Sequence, residues 1–581
     1  MKYYYLVIIL KKLLKYFKGY GKESLLGPLF KLFEASLELI VPLIIAKIID
    51  VGIAEGDRGY IVKMSLFLAL LGLIGLGFSV TAQFFAAKAS VGFISQVRRS
   101  LYRHVQSLSY KDIDDLGTSS IITRMTADSA KVQNGINLTL RLLLRSPFVV
   151  FGAMIMAGCI DFESGVGFGV TILALSLIVF GIMIITMPMY KKVQTGLDKI
   201  LKKTRENLFG VRVIRAFGME ENEREEFVKD NDIFTKSAVR TGNLSALMNP
   251  LTYVIINLGI IWLINFGALK VDGGYLSQGQ VIALYNYMGQ ILIELIKLAN
   301  LIVTISKALA SASRISEIFE IQPSQAYGSR TESVNSEFSV EFSDVSICYN
   351  NSGENALSHI TFRAMRGETI GVIGGTGSGK STLVSLIPRF YDATEGEVKI
   401  CGAKVEEYSR EAINTKIATV SQKAVLFSGS IRDNMKWGNE AADDSQILSA
   451  INIAMADDVI KSKGGLDGMI EAGGKNLSGG QRQRLTIARA LVSDPEILIL
   501  DDSSSALDYA TDAALRRSLK SLSKDKTIFI VSQRAASVMH ADKIIVLDDG
   551  CAVGIGSHDE LIENCQVYKE IYDSQFEKEV S

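Results

Sequence analysis

A chain of 581 residues is too long for one hydrophobic core and implies at least two domains. Apolar residues make up 48% of it and its mean hydropathy is +0.24, more than a soluble enzyme carries, which points to a membrane part. Lys+Arg 62 against Asp+Glu 62 leaves no net charge and no reason to expect a nucleic-acid partner, and five cysteines without C-x-x-C spacing beside only four histidines argue against a disulfide framework or a zinc site.

The first twenty residues mix Tyr3, Tyr4, Tyr5 and an apolar run with Lys11, Lys12, Lys15 and Lys18. No small-residue cleavage site follows, so residues 1–20 read as an interfacial elbow helix, or as the start of the first membrane helix. Six apolar stretches of spanning length follow at about 25–49, 62–87, 143–160, 166–190, 246–268 and 280–305. Cations crowd two of the connections, with Arg98, Arg99, Arg103, Lys111, Arg124 and Lys131 in one and Lys191 through Arg215 in the other. Both loops are therefore expected in the cytoplasm, the short cation-poor connections outside, and both termini inside. These loops read as charged helices extending beyond the bilayer, with short elements near 111–118 and 208–216 at their tips.

Several charges fall within the spans: Lys31, Glu34 and Glu38 in the first, Lys88 at the end of the second, and Glu294 with Lys297 in the sixth. Ionisable groups are costly there and face a water-filled cavity or a partner. Glu294 and Lys297, three residues apart, can satisfy each other or touch a transported molecule, and Glu38 is a cavity candidate of the same kind.

The expected organisation is an all-α membrane domain at 21–320, a polar linker at 321–337 and an α/β nucleotide-binding domain at 338–581. In the last of these, Gly374-Gly375-Thr376-Gly377-Ser378-Gly379-Lys380-Ser381 fits G-x-x-x-x-G-K-[ST]. Glycines let backbone N–H groups close around phosphates, Lys380 neutralises their charge, and Ser381, followed by Thr382, offers a hydroxyl to magnesium. A buried strand (368–373) leads in and a helix leads out, the setting this loop requires. ATP and Mg2+ are the implied cofactors.

Further along, Leu477-Ser478-Gly479-Gly480-Gln481 opens a second helix, and Ile497 to Leu500 form a continuous apolar strand ending at Asp501. With these residues the chain resembles a half-transporter of the ATP-binding cassette exporters, specifically the degenerate-site subunit of heterodimeric bacterial multidrug exporters. The resemblance covers nearly the full length and includes Ile48 to Ile53, the stretch from Gly117 to Asp128, and Leu197 through Phe217. It implies the type I exporter fold (also called type IV), adenine stacking on Tyr349, magnesium contacts from Ser381, Gln422 and Asp501, and a D-loop at Asp508. It also implies that Leu477 to Gln481 act on the nucleotide of the opposite subunit.

Two departures stand out. Asp502 occupies the place of the family's catalytic glutamate and Gln533 that of its switch histidine. Asp is one methylene shorter than Glu, so its carboxylate reaches a nucleophilic water poorly, and Gln has no titratable proton and no charge. ATP is therefore expected to bind here and hydrolyse slowly, with a non-identical half-transporter supplying a competent site. A homodimer with two slow sites and an ATP-binding regulatory subunit are the alternatives. The expected location is the plasma membrane of a bacterium, among lipids. The expected cargo is a small amphiphilic, drug-like molecule, with lipid, peptide and haem or siderophore as other possibilities.

Overall fold

The computed structural model describes residues 15–349, 353–522 and 526–576. Two compact units result: one holds residues up to 106 and 117–321, the other residues 107–116 and 322 onward.

The first unit is helical: α1 (Gly21–Lys47), α2 (Arg58–Ser107), which runs on into the second unit's α3 (Tyr110–Leu116), then α4 (Ser129–Leu142), α5 (Arg145–Ile160), α6 (Phe162–Phe209), α7 (Val211–Ala216), α8 (Glu220–Ala246), α9 (Met248–Asp272) and α10 (Gln278–Glu320). Among the described residues, five runs are long and apolar enough to cross a bilayer: Arg58–Ser107, Thr118–Ile160, Phe162–Phe209, Glu220–Asp272 and Gln278–Glu320. The first expected span forms α1, where Lys31, Glu34 and Glu38 interrupt the apolar run. Small residues let these helices approach closely. Ala35, Ala153 and Ala157 are fully buried, and a Cβ on Gly165 would meet the Gly158 backbone at 2.7 Å.

Most of the elbow helix expected over residues 1–20 falls outside the described residues. Residues 1–14 lie outside the described part, Lys15–Phe17 form a single 3-10 turn, and α1 starts only at Gly21. Phe17 packs on Phe93 with ring centroids 4.4 Å apart, and Tyr20 fills the space a Cβ on Gly92 would take.

Two of the segments that carried the family resemblance are π-helical turns, Ile48–Ile53 and Arg124–Asp128. Each presents an aspartate to α10. Asp50 accepts hydrogen bonds from the Gly279 N–H at 2.8 Å and the Ser277 hydroxyl at 2.5 Å. Asp128 accepts from Arg314 at 2.8 and 2.5 Å and from Ser311 at 3.0 Å. Inserting one residue per turn re-aims these side chains inward, a common use of π-bulges at functional positions.

The second unit is α/β. Its strands are β1 (Phe338–Ile347), β2 (Leu357–Met365), β3 (Thr369–Gly374), β4 (Glu395–Ile400), β5 (Ala403–Lys404), β6 (Ile417–Val420), β7 (Ile497–Asp501), β8 (Thr527–Val531), β9 (Lys543–Asp548) and β10 (Cys551–Gly556). An antiparallel sheet, β2-β1-β4-β5, packs against a six-stranded sheet in the order β10-β9-β3-β8-β7-β6. In the second sheet every neighbouring pair is parallel except β9 with β10. Both faces of its central strands are covered, which is why Ile497 to Leu500 read as an unbroken apolar run. The helices that matter for the site are α11 (Lys380–Leu386), α12 (Gly479–Val492), α13 (Tyr509–Leu522) and α14 (Gln566–Phe576).

Candidate functional site

Parallel pairing brings the candidate residues to one edge of the sheet. Val531 at the end of β8 is in register with Asp501 on one side and Val372 on the other. The loops leaving β3, β7 and β8, which carry the glycine-rich octet, Asp502 and Gln533, therefore converge at the carboxyl ends of the strands, where ligands bind in open α/β sheets.

The loop after β3 depends on its glycines. Gly377 and Gly379 sit at φ of 85° and 93°, a conformation that costs other residues strain. A Cβ on Gly379 would lie 2.6 Å from the Leu357 side chain, and one on Gly374 would lie 2.1 Å from the Leu547 carbonyl oxygen. Gly375, Thr376 and Gly377 are exposed, whereas Ser378 is buried. Lys380 is only 9% exposed, and its ammonium donates to the Gly374 carbonyl at 3.0 Å, to the Gly375 carbonyl and to Ser378. Burial pushes its pKa below the ordinary lysine value, with Asp502 and Asp501 pulling the other way.

Ser381 Oγ donates to Asp501 Oδ1 at 3.0 Å. Burial holds the Asp501 carboxyl above its ordinary pKa, and the neighbouring Asp502 charge adds to this, while Ser381 and Lys380 oppose it. A hydroxyl beside a partly desolvated carboxylate is the all-oxygen donor set that suits Mg2+, and a bound dication would remove the penalty the carboxylate carries. Thr382 is half-buried on α11, with its carbonyl accepting from Ser385 Oγ.

Asp502 stands at φ 45°, an unusual conformation for a non-glycine residue, fixed by its N–H donating to the Val531 carbonyl at 3.0 Å. Its carboxylate accepts from Gln422 Nε2 at 3.1 Å. Gln422 thus lies within hydrogen-bond reach of Asp502, beside the Ser381–Asp501 pair. Gln533 Oε1 accepts from Thr376 Oγ1 at 3.4 Å, tying the switch position to the glycine-rich loop. Sequence reasoning missed Gln575 on α14. Its amide donates to the Gln533 carbonyl at 2.9 Å and accepts from the Ala535 N–H at 2.8 Å, clamping that loop from both sides. Only the tertiary fold brings it there.

The signature segment is pre-shaped by a capping box. Ser478 Oγ accepts from the Gln481 N–H at 3.2 Å, and the Gln481 side chain accepts from the Ser478 N–H at 3.0 Å. Leu477 is buried in the core, and Gly480 lets the Ala506 carbonyl approach, since a Cβ there would stand at 3.0 Å. Gly479 begins α12, so the exposed start of this helix offers N–H groups outward. Asp508 accepts from Thr511 N–H at 2.9 Å and Thr511 Oγ1 at 2.8 Å, capping α13.

The Tyr349 ring meets Tyr391 edge-on at 5.0 Å, and both line a cavity of about 290 Å³ with Lys111, Asp114 and Ser324. Tyr391 donates to Asp114 at 2.5 Å, and Tyr110 packs on Phe390 with centroids 4.5 Å apart. Asp112 accepts from the Ser109 and Ser324 N–H groups at 3.0 and 3.1 Å.

Residues 24–295 match the family model of the ABC transporter transmembrane region and residues 357–505 that described as ABC transporter. The chain is 34% identical to the uncharacterized ABC transporter ATP-binding protein YfiB of Bacillus subtilis, over 98% of this chain and 100% of that protein. The chain belongs to the ABC transporter family. It is also 28% identical to the ATP-dependent lipid A-core flippase of Vibrio vulnificus, over 90% of this chain and 91% of that one. Its fold matches that of a bacterial Atm1-family ABC exporter with ATP bound, with a TM-score of 0.78, 21% identity and coverage of 96% of this chain and 98% of the other. As an ABC transporter it is a multi-pass membrane protein whose nucleotide-binding domain binds ATP and couples its hydrolysis to transport.

In the first unit the candidate cavity charges are brought together. Lys297 pairs with Glu294 at 2.8 Å, as their spacing allows, and Glu294 has a second partner, Arg145 on α5, at 2.5 Å; Arg145 also holds Glu38 at 2.6 Å. Arg145 was overlooked because it sits at the edge of an apolar run.

Proposed function

We propose that this transporter is an exporter subunit whose own pocket holds ATP with Mg2+ and hydrolyses it slowly, working with a non-identical half-transporter. The backbone of Gly374 to Gly379 and Lys380 bind the phosphates, and Ser381, Gln422 and Asp501 serve the magnesium. Tyr349 stacks on adenine, Asp508 serves in the D-loop, and Leu477 to Gln481 complete the partner's competent site. When bound, Mg2+ neutralises charge building on the phosphates.

The observation that carries this reading is the state of the two catalytic positions. The Asp502 carboxylate is short and already accepts from Gln422, and Gln533, held at its side chain by Thr376 and at its backbone carbonyl by Gln575, has no titratable group. A missing positioned base lowers a rate by about 10² to 10⁴. Alternating access follows in outline: ATP draws two nucleotide domains together, the long cytoplasmic helices carry the closure to the membrane, and hydrolysis at the partner-completed site resets it.

The cargo is an amphiphile moved out of the cytoplasm or its leaflet. The flippase among the relatives supports a lipid-like molecule alongside a drug-like one. The test is purified chain alone against chain co-purified with a half-transporter that has Glu and His at these positions. ATP binds in both, and turnover rises about 10²-fold or more only in the mixed complex. Brisk turnover by the chain alone overturns the proposal.

A further inference from the structure

Three helices of the first unit bring charges to one depth. Counting 1.5 Å per residue from the outer helix ends, Glu38 lies about 22 Å below Ile53, Arg145 about 22 Å below Ile160, and Glu294 about 24 Å below Gln278. In a hydrocarbon core about 30 Å thick, that level is the cytoplasmic half of the bilayer. Arg145 and Glu294 are buried, at 8% and 3% exposure, and Ser146 Oγ adds a hydrogen bond to Glu294 at 2.7 Å. This inner pair alone would satisfy itself.

The outer two members need another explanation. Glu38 is 40% exposed and Lys297 43% exposed. Each is paired, Glu38 with Arg145 and Lys297 with Glu294, yet each keeps a half-exposed face, as ionisable groups at this depth do where they line a water-filled cavity. Two further polar atoms are buried without a hydrogen-bond partner in the structure: Arg145 Nε, a donor, and Gln290 Oε1, an acceptor one turn from Glu294. The four charges Glu38, Arg145, Glu294 and Lys297 sum to zero. A purely cationic ligand meets Lys297 and Arg145, and a purely anionic one meets Glu38 and Glu294. A ligand carrying both signs is matched.

We propose that Glu38 and Lys297 form the headgroup site for a zwitterionic amphiphile, its ammonium on Glu38 and its acidic group on Lys297, seated on the buried Arg145–Glu294 pair. The proposal rests on the amphiphile-export reading and names its substrate class. The headgroup lies at the level of the inner leaflet, with the tail against the apolar helix faces.

The test measures binding to the full-length chain in a non-ionic detergent, by thermal shift, with four single-chain probes: lysophosphatidylethanolamine, N-dodecylglycine, dodecylamine and laurate. The two zwitterions are expected to bind at least about tenfold more tightly than the single-charge probes, the gain from one added charge-assisted contact. Glu38→Gln should weaken the zwitterions and dodecylamine about tenfold and spare laurate. Lys297→Gln should weaken the zwitterions and laurate and spare dodecylamine. Stronger binding of lysophosphatidylethanolamine assigns the headgroup to a membrane lipid, and stronger binding of N-dodecylglycine assigns it to a free amphiphile; both support the site. Equal binding of all four probes, untouched by either variant, overturns the zwitterion site and leaves amphiphile export standing. Binding of none overturns both. An unchanged ATP-induced thermal shift reports that each variant is folded, and if a variant loses that shift, the wild-type ranking of headgroups decides.

Discussion

Lys380 in the nucleotide unit and Arg145 in the membrane unit are both buried cations, with acids near them, yet their surroundings differ in kind. Arg145 has a carboxylate on each of two nitrogens, Glu294 and Glu38, so its charge is cancelled within the protein. Lys380 is held by neutral oxygens of Gly374, Gly375 and Ser378, while Asp501 and Asp502 act on it only at a distance. Burial disfavours its charge without cancelling it. A buried charge that is already matched holds helices together, and one left unmatched awaits a ligand of opposite sign.

The sharpest way to break this comparison is to remove each cation. Lys380→Ala takes away charge-assisted bonds to phosphate, at about 1.5–3 kcal/mol apiece, so ATP affinity should fall more than about a hundredfold. Nucleotide-free stability should hold or rise, because a desolvated ammonium has gone. Equilibrium binding of a fluorescent ATP analogue and a melt without nucleotide measure the two. Arg145→Met should do the reverse. It removes the guanidinium shared by Glu294 and Glu38 and leaves the buried Glu294 with Lys297 and Ser146 only, at a cost of up to about 3–5 kcal/mol, read as a large fall in the melting temperature of the membrane unit, while ATP affinity in any protein still folded stays the same. If Lys380→Ala destabilises the nucleotide-free protein as strongly as Arg145→Met does, the distinction between matched and unmatched charge is wrong.

What could be read without coordinates follows the same division. The phosphate loop, the strand ending at Asp501 and the capped signature are local patterns, each set by a few consecutive residues, and they occupy the strand ends and helix starts that their spacing implies. The membrane spans were legible as apolar runs, since a bilayer imposes length and composition alone. Partnerships across long stretches of sequence were not. Nothing near Gln533 announces Gln575, and the spacing of Glu294 and Lys297 suggests the local pair that forms but not the second partner of Glu294, Arg145, 149 positions away. The π-helical turns at Asp50 and Asp128 were also hidden, because an inserted residue leaves no compositional trace.

The comparison is sharpened by an acid–arginine pair in water. Asp128, 2% exposed, holds Arg314 by two hydrogen bonds. By helix rise Arg314 lies about 54 Å from the outer end of α10, beyond the bilayer. The Arg314 hydrogen bond keeps the Asp128 carboxyl below its ordinary value of 3.8, against the opposing effect of burial. Because Arg314 is 43% exposed, solvent screens the pair, and Asp128→Asn should cost about 1–2 kcal/mol, less than the loss of Arg145. A carboxyl with a depressed folded pKa contributes its full stability above the unfolded value and loses it as pH falls through the folded one. The stability gap between wild type and Asp128→Asn should therefore stay constant from pH 8 to about 5 and close only at more acid pH. Added salt should narrow it at neutral pH, because water reaches one side of the pair. The gap opened by Arg145→Met should respond less to salt, since the Arg145–Glu294 side of the cluster is buried even though Glu38 is half-exposed. Equal salt sensitivity of the two gaps would place Arg145 in a solvated site and remove the reason for treating it as architecture.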